Sequence, residues 1–402
     1  MRLFLPLLIA LAVLAAFFRD DALLTLGYFV IAVIIVGGLW SRRAVHQLSC
    51  ERELAPRAFI GDRLPMRLRL TNRSRLPIPW LTAEDGIPSE LIFSAPTRAA
   101  LWLAPREHTE FSAEIQPAKR GFYTLGPLRL RSGDLFGLGG EAAHHDGLST
   151  LTVLPRIVPL RALGLPARAP LGALRHREPI FEDPSRPRGK RAYVRGDSPR
   201  KVDWKATAAT GVLQSRLFEP SVSMDVVLAL DLRETGYPER ERYAASELGI
   251  VVAASMAAWA SAAGQAVGLL CNGLDAAAGS RELASLLPRK GRPALTALLE
   301  ALGRAQFAAG RELTTSRPLT RVLDEDAIHL PWGTALVVIC GQVEDALLVR
   351  LRRLSEAGLN ITVVLAARLP DDAFGALRAR ARRFGIEVWQ AMDNNALFEV
   401  RA

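Results

Sequence analysis

The chain opens with two apolar stretches, passes into alternating polar and apolar positions, and ends in unbroken apolar runs separated by helical segments. Leu3 to Phe18 carries no charge and neither does Ala22 to Trp40, with Arg19-Asp20-Asp21 between them. At a rise of about 1.5 Å per residue these stretches reach roughly 24 and 28 Å, against a hydrocarbon core of about 30 Å. The pattern predicts two transmembrane helices over residues 1–43. A cleaved signal peptide is the competing reading of the first stretch, where Arg2 precedes a short apolar core, but no clear small-residue cleavage site follows. Arg2 flanks one outer end and Arg42-Arg43 the other, while the turn holds two acids and one Arg. By the positive-inside rule the body is expected in the cytoplasm.

Over residues 44–160 the period is two. Leu64, Met66, Leu68 and Leu70 alternate with polar or turn-type residues, as do Phe111, Ala113 and Ile115, and Leu128 and Leu130. Such strands bury one face and wet the other. Turn residues at Gly61-Asp62, Thr71-Asn72-Arg73-Ser74, Pro117 and Ser132-Gly133-Asp134 separate them, which predicts an antiparallel beta-sandwich.

Over residues 222–402 the apolar runs Val226–Leu230, Val267–Leu270, Ala335–Ile339, Ile361–Ala366 and Ile386–Val388 read as strands buried on both faces. Leu248, Val252, Ser255, Trp259 and Ala262 keep helical spacing between the first two, and Phe374, Leu377, Ala381 and Phe384 form a later stripe. Strand and helix in alternation predict a doubly wound α/β domain with a mainly parallel sheet.

Charge sharpens the picture in the connecting region, residues 161–221. The whole chain has 51 Lys and Arg against 41 Asp and Glu, a balance of +10. Residues 161–205 alone hold nine Arg and three Lys against five acids, a balance of +7. Half the residues are hydrophobic, which excludes wholesale disorder, and Cys50, Cys271 and Cys340 match no metal-ligand spacing and read as reduced thiols.

The basic run Lys190-Arg191-Ala192-Tyr193-Val194-Arg195-Gly196-Asp197-Ser198-Pro199-Arg200-Lys201-Val202-Asp203-Trp204-Lys205 resembles the signature of the bacterial domain of unknown function 58 family. Lys119-Arg120-Gly121-Phe122-Tyr123 and Gly133-Asp134-Leu135-Phe136-Gly137-Leu138 extend the likeness upstream, and Ala209 departs from it where Arg is usual. The resemblance implies a protein of the bacterial inner membrane with two passes and a von Willebrand factor A-like domain at its C-terminal end. It also implies partnership with a MoxR-type AAA+ ATPase and with membrane or envelope proteins, and no established catalysis. Arg191, Tyr193, Gly196, Asp197, Arg200, Asp203, Trp204 and Lys205 become the candidate docking residues. Trp204 is expected to be buried as the joint between the two halves, with Asp203 paired to Arg200, Lys205 or Arg191.

Domains of that type which hold a divalent ion carry Asp-x-Ser-x-Ser after their first strand, because a hard cation takes oxygen ligands. Here the loop reads Asp231-Leu232-Arg233-Glu234-Thr235, with a guanidinium in place of the middle hydroxyl, and Cys340-Gly341-Gln342 stands where a second acid would follow. No metal is expected, and Arg233 is expected to pair with Asp231 or Glu234.

The remaining motifs carry less. His144-His145-Asp146 reads as a solvated turn, Asp324-Glu325-Asp326 as a turn or helix start, and Gly189-Lys190 lacks the spacing of a phosphate loop. No nucleophile and base can be assembled, so neither an enzyme nor a cofactor is expected. Nucleic-acid binding lacks an aromatic platform. Together with the hairpin, the resemblance implies a membrane-anchored cytoplasmic adaptor or assembly factor. The alternatives are a metal-dependent or hydrolytic enzyme at the inner membrane face and an envelope protein that binds anionic lipid in the bilayer.

Overall fold

The computed structural model describes residues 21–94, 98–132, 142–165, 182–194, 202–220, 225–279 and 281–392. The first apolar stretch, the Gly133 to Leu138 piece, and Gly196, Asp197 and Arg200 lie outside the described residues. Helix α1 (Asp21–His46) contains all of the second charge-free stretch. Its Leu26, Tyr28, Phe29, Ile35, Val36 and Leu39 are exposed, while Trp40 Nε1 donates to the carbonyl of Pro77 (2.9 Å) and fastens the helix end to the body.

The beta-rich part contains β1 (Leu48–Glu53), β2 (Arg57–Phe59), β3 (Leu64–Asn72), β4 (Ile78–Glu84), β5 (Leu91–Phe93) and β6 (Arg98–Leu103). It continues through β7 (His108–Pro117), β8 (Gly121–Leu125), β9 (Leu128–Ser132), β10 (Ala142–Asp146) and β11 (Ser149–Leu154). These form sheets in the orders β1-β3-β7-β5, β10-β9-β4-β6 and β2-β11-β8. Strand β3 is buried at Leu64, Met66, Leu68 and Leu70 and exposed between them, so its apolar face is shared by the two other sheets. His144-His145-Asp146 belongs to β10, paired with β9, rather than to a turn. The ladder to β9 overrides the local Gly-flanked pattern.

Strands β12 (Glu182–Ala192) and β13 (Gln214–Pro220) pair into a two-stranded ribbon, with helix α2 (Trp204–Thr210) between them in the chain. The α/β part then runs β14 (Val226–Leu230), α3 (Arg242–Ala262), β15 (Val267–Cys271), β16 (Leu274–Asp275), β17 (Arg281–Glu282), β18 (Leu286–Arg289), α4 (Arg292–Arg304) and β19 (Ala305–Gln306). It ends with α5 (Leu319–Glu325), β20 (Ala335–Cys340), α6 (Asp345–Glu356), β21 (Asn360–Leu365), α7 (Asp371–Arg382) and β22 (Glu387–Gln390). The main sheet has the order β18-β15-β14-β20-β21-β22, parallel throughout except for the edge strand β18. Helices α3 and α4 cover one face, and α5, α6 and α7 the other. Helix α3 is long and apolar enough to cross a bilayer, but 72% of its apolar window is buried inside the protein, which makes it the core helix of this sheet.

Asp324-Glu325-Asp326 closes α5 rather than starting a helix. Acids at a helix C-terminus oppose its dipole, and the ion pairs of Arg350 with Asp324 and of Arg317 with Glu325 and Asp326 (3.3 Å) offset this. The three cysteines form no disulfide, and burial pushes the thiol of Cys271 up to about 12 and that of Cys340 up as well. Neither buried thiol forms a thiolate nucleophile at neutral pH.

The two halves are joined by a seam that the sequence reading placed elsewhere. Leu154, Leu160, Leu163 and Leu165 extend from β11 into the core on the α3 face, and Val158 N donates to Ser255 Oγ (3.0 Å). Arg120, at the turn before β8, has a side chain only 10% exposed. It clasps Glu247 of α3 through Nε (2.8 Å) and Nη2 (2.5 Å), and its Nη1 donates to the carbonyls of Leu302 (3.2 Å) and Ala305 (2.7 Å) at the end of α4. Trp204, by contrast, is 70% exposed and is no joint. It occupies the first position of a short helix whose buried contacts are made by Asp203, so the indole is left facing outward.

Arg120→Ala removes the cation and leaves the α4 carbonyls without that donor. Denaturant unfolding of the full chain in detergent should show a loss of about 2–3 kcal/mol, the range for hydrogen bonds to a charged group. An unchanged midpoint would show that the seam holds without Arg120.

Candidate functional site

Two places concentrate charge and hydrogen bonding. In the first, the basic ribbon, Asp203 is 6% exposed and caps α2 by accepting from Ala206 N at Oδ1 (3.1 Å). Its Oδ2 pairs with Lys190 Nζ of β12 (3.1 Å) and Arg216 Nε of β13 (3.4 Å). Lys190 and Arg216 stand opposite each other in the ladder, a repulsive arrangement that the carboxylate between them neutralises. The cap hydrogen bond, then Lys190 and Arg216, hold the Asp203 carboxyl down to about 2. Its partners are therefore not Lys205 or Arg191, because the strand pairing brings Lys190 and Arg216 to the carboxylate and points the closer cations away. Arg191 is exposed, its Nη1 donating to the carbonyl of Ala192 (3.2 Å).

The helix is pinned on both sides. Asp203 N donates to the carbonyl of Gln214 (2.8 Å), Gln214 N to Thr207 Oγ1 (3.0 Å), and Tyr193 N to the carbonyl of Leu213 (2.8 Å). Gly211 ends it at φ 69°, a left-handed position that suits glycine. Exposed on this frame are Trp204, Val194, Val212 and Leu213 and the cations Lys190, Arg191, Lys205 and Arg216.

The second place lies beyond the carboxyl ends of β14 and β20, where an open parallel sheet forms its crevice. Asp231 is buried there. Its Oδ1 accepts from Asn272 Nδ2 (2.8 Å) and Arg233 N (3.1 Å), and its carbonyl accepts from Tyr237 Oη (2.6 Å). Asn272 Oδ1 in turn accepts from Leu232 N (2.7 Å). Burial raises the Asp231 carboxyl, partly offset by Asn272 and Arg233. Arg233 pairs with neither Asp231 nor Glu234. Its Nη2 donates to the carbonyl of Leu313 (3.1 Å), while Glu234 is taken by Arg242 and by Gly310 N (3.0 Å). The loop after β19, which touches Arg233 backbone to backbone at Ala308, is what draws the guanidinium away.

A pocket of about 80 Å³ is lined by Asp231, Arg233, Thr235, Thr320, Gln342 and Glu344, among others. Sequence reasoning missed Asn272, Thr320 and Glu344. The glycine at 341 is a packing requirement, since a Cβ there would lie 2.2 Å from the Tyr237 ring, and Glu344 supplies an acid three residues later. The donor set does not fit a divalent ion. Two acids share the pocket with a guanidinium, and among the described residues no cluster of three or more His, Cys, Asp or Glu is arranged to hold a metal.

The family described as "Protein of unknown function DUF58" matches residues 189–377, which include both places. The chain is 24% identical over 210 residues to the uncharacterized protein YeaD of Bacillus subtilis, covering 51% of this chain and 52% of that relative. The chain thus spans about half the length of the curated relative it matches. Among solved structures, the CARDB domain of the PF1109 protein from Pyrococcus furiosus aligns with 26% of this chain and 91% of its own at 12% identity and a TM-score of 0.19. Alpha-2-macroglobulin from Escherichia coli, from domain MG7 to its C-terminus, aligns with 27% of this chain and 17% of its own at 18% identity and a TM-score of 0.24.

Two expectations follow. Because the Asp203 carboxyl is lowered in the folded ribbon, its stabilising contribution is complete above the ordinary aspartate value of 3.8 and is lost as pH falls toward about 2. Hydrogen exchange of the Ala206 amide should accelerate across that window, and Asp203→Asn should flatten the dependence; equal pH profiles for both would remove Asp203 as the anchor. Millimolar magnesium or manganese should leave the melting temperature of the full chain unmoved, whereas a rise abolished by Asp231→Ala would establish a metal site.

Proposed function

We propose that this chain is a membrane-anchored adaptor or assembly factor that binds other proteins through the basic ribbon, with a MoxR-type AAA+ ATPase and envelope proteins among its partners. The observation that carries the reading is Trp204, an indole left 70% exposed on a helix that is otherwise pinned at every turn. A large aromatic held rigidly in water gains energy only when a partner covers it, and Trp with basic neighbours is the composition of binding hot spots.

Supporting features sit around it. The sheet order, with one antiparallel edge strand, agrees with a von Willebrand factor A-like domain, whose strand-end crevice serves here for docking rather than for a metal. Helix α1, exposed along its apolar length and charge-free from Ala22 to Trp40, supports anchoring in the bacterial inner membrane, two-pass, with the body in the cytoplasm. The adaptor role requires no reaction, and neither place assembles a nucleophile with a base.

Affinity purification of the full chain from native membranes, with and without ATP, tests the proposal. Trp204→Ala should lower the co-purified proteins by about tenfold or more, as hot-spot truncation does. The unfolding free energy should stay within about 0.5 kcal/mol of the parent, as for a surface substitution. Undiminished capture would remove the ribbon as the docking element. Undiminished capture together with lost binding to anionic vesicles would favour the lipid reading instead.

A further inference from the structure

The pocket at the ends of β14 and β20 contains a cation that forms no ion pair with a described carboxylate, although it stabilises the buried Asp231 carboxylate through space. Arg233 is half-buried, joins no described carboxylate in an ion pair, and makes one side-chain hydrogen bond, to the carbonyl of Leu313. Its Nε is enclosed and has no acceptor. A guanidinium has five donors and gives up hydration when it is covered, so one bond leaves it short of acceptors. The other deeply placed arginines differ in having carboxylate partners, although Nε of Arg52 is likewise enclosed without an acceptor. Arg52 pairs with Asp85 at 2.5 Å and also donates to two carbonyls, and Arg120 has Glu247 and the carbonyls of α4.

The surroundings of Arg233 suit an anion of one kind. Thr235 and Thr320 bring hydroxyl groups, Gln342 an amide whose Nε2 already donates to the Thr235 carbonyl (2.7 Å), and Pro318, Leu319 and Leu347 give an apolar wall. Helix α6 starts at the rim with Glu344 as its N-cap residue and no side chain bonding its first amide groups, and Asp345 in its first turn pairs with Arg380 (2.6 Å). Of the two acids, Asp231 is committed at Oδ1 to Asn272 and the Arg233 amide, and Glu344 lies on the exposed rim. A space of about 80 Å³ takes a carboxylate and its neighbouring methylene groups and excludes a nucleotide.

We propose that this pocket receives a single carboxylate, the Asp or Glu side chain of a protein partner, with Arg233 as its counter-charge. The planar fork of Arg matches a carboxylate, and the pocket brings that match without a metal. The proposal rests on the adaptor reading and gives it a second contact point, distinct in chemistry from the ribbon.

The test uses the full chain in detergent with ¹⁵N-labelled arginine, the Arg233 Nε–H signal being assigned from its absence in Arg233→Lys. N-acetyl-aspartate N-methylamide should move that signal saturably at constant ionic strength, while methylammonium and magnesium should not. In native membranes Arg233→Glu should reduce co-purified protein about tenfold at an unchanged melting temperature, with Arg233→Lys retaining part of the capture. Absence of a saturable shift with the aspartate probe, or a magnesium-induced shift abolished by Asp231→Asn, overturns the proposal. The two readings separate cleanly. Capture that depends on Trp204 but is indifferent to Arg233→Glu defeats the pocket and leaves the adaptor, whereas saturable aspartate binding with no captured protein supports the pocket and defeats the adaptor.

Discussion

Burial of β14 on both faces is the constraint on which the α/β half depends. Each residue from Val226 to Leu230 is fully enclosed, with Val226, Leu228 and Leu230 turned toward α3 and α4 and Val227 and Ala229 toward the helices opposite. A strand so enclosed must satisfy every backbone group through its neighbours, and β15 and β20 do this in parallel register on either side. The chain can then leave only at the carboxyl edge. Asp231 follows at once, beside Asn272 from the end of β15 and Gln342 beyond β20, so the pocket is a consequence of how the central strand is covered.

The same core explains how the beta-rich half is held. The face made by α3 and α4 is left incomplete by its own helices, and Leu160, Leu163 and Leu165 complete it. Helix α4 comes so close to β11 that a Cβ at Gly303 would lie 2.9 Å from the Val153 carbonyl. Arg120 then meets the carbonyls at the end of α4, where a helix terminus has acceptors to spare. The seam is thus apolar packing oriented by Arg120, with Arg57 of β2 pairing across it to Glu300 of α4 (2.6 Å), and the basic ribbon takes no part in it among the described contacts.

The arginines show how charge is divided between structure and surface. Arg52, Arg120 and Arg317 end on carboxylates and hold elements together. The cations of the ribbon stay exposed, with Lys190 and Arg216 sharing the single carboxylate of Asp203. That sharing orders α2 and keeps Trp204 presented without neutralising the surface around it. Exposed pairs of this kind add little to stability.

Periodicity made the elements legible. Alternation in Leu64 to Leu70 and unbroken apolar runs at Val226, Val267, Ala335 and Ile361 carry their burial in the residue types themselves, because each strand's environment is imposed by transfer of its own side chains from water. The basic run and Asp231 were likewise visible as local patterns. Partners were not. Which cation meets Asp203, where Arg233 points, whether Trp204 is covered, and that Arg120 closes the seam all depend on residues 13 to 185 positions apart meeting in space. The pairing of β18 as an antiparallel edge, and the arrival of Thr320 and Glu344 at the pocket, have the same origin. Hydrophobic burial is additive along a segment and can be read from it, whereas the pairing of a charge is decided by geometry between segments, and only the tertiary structure contains that geometry.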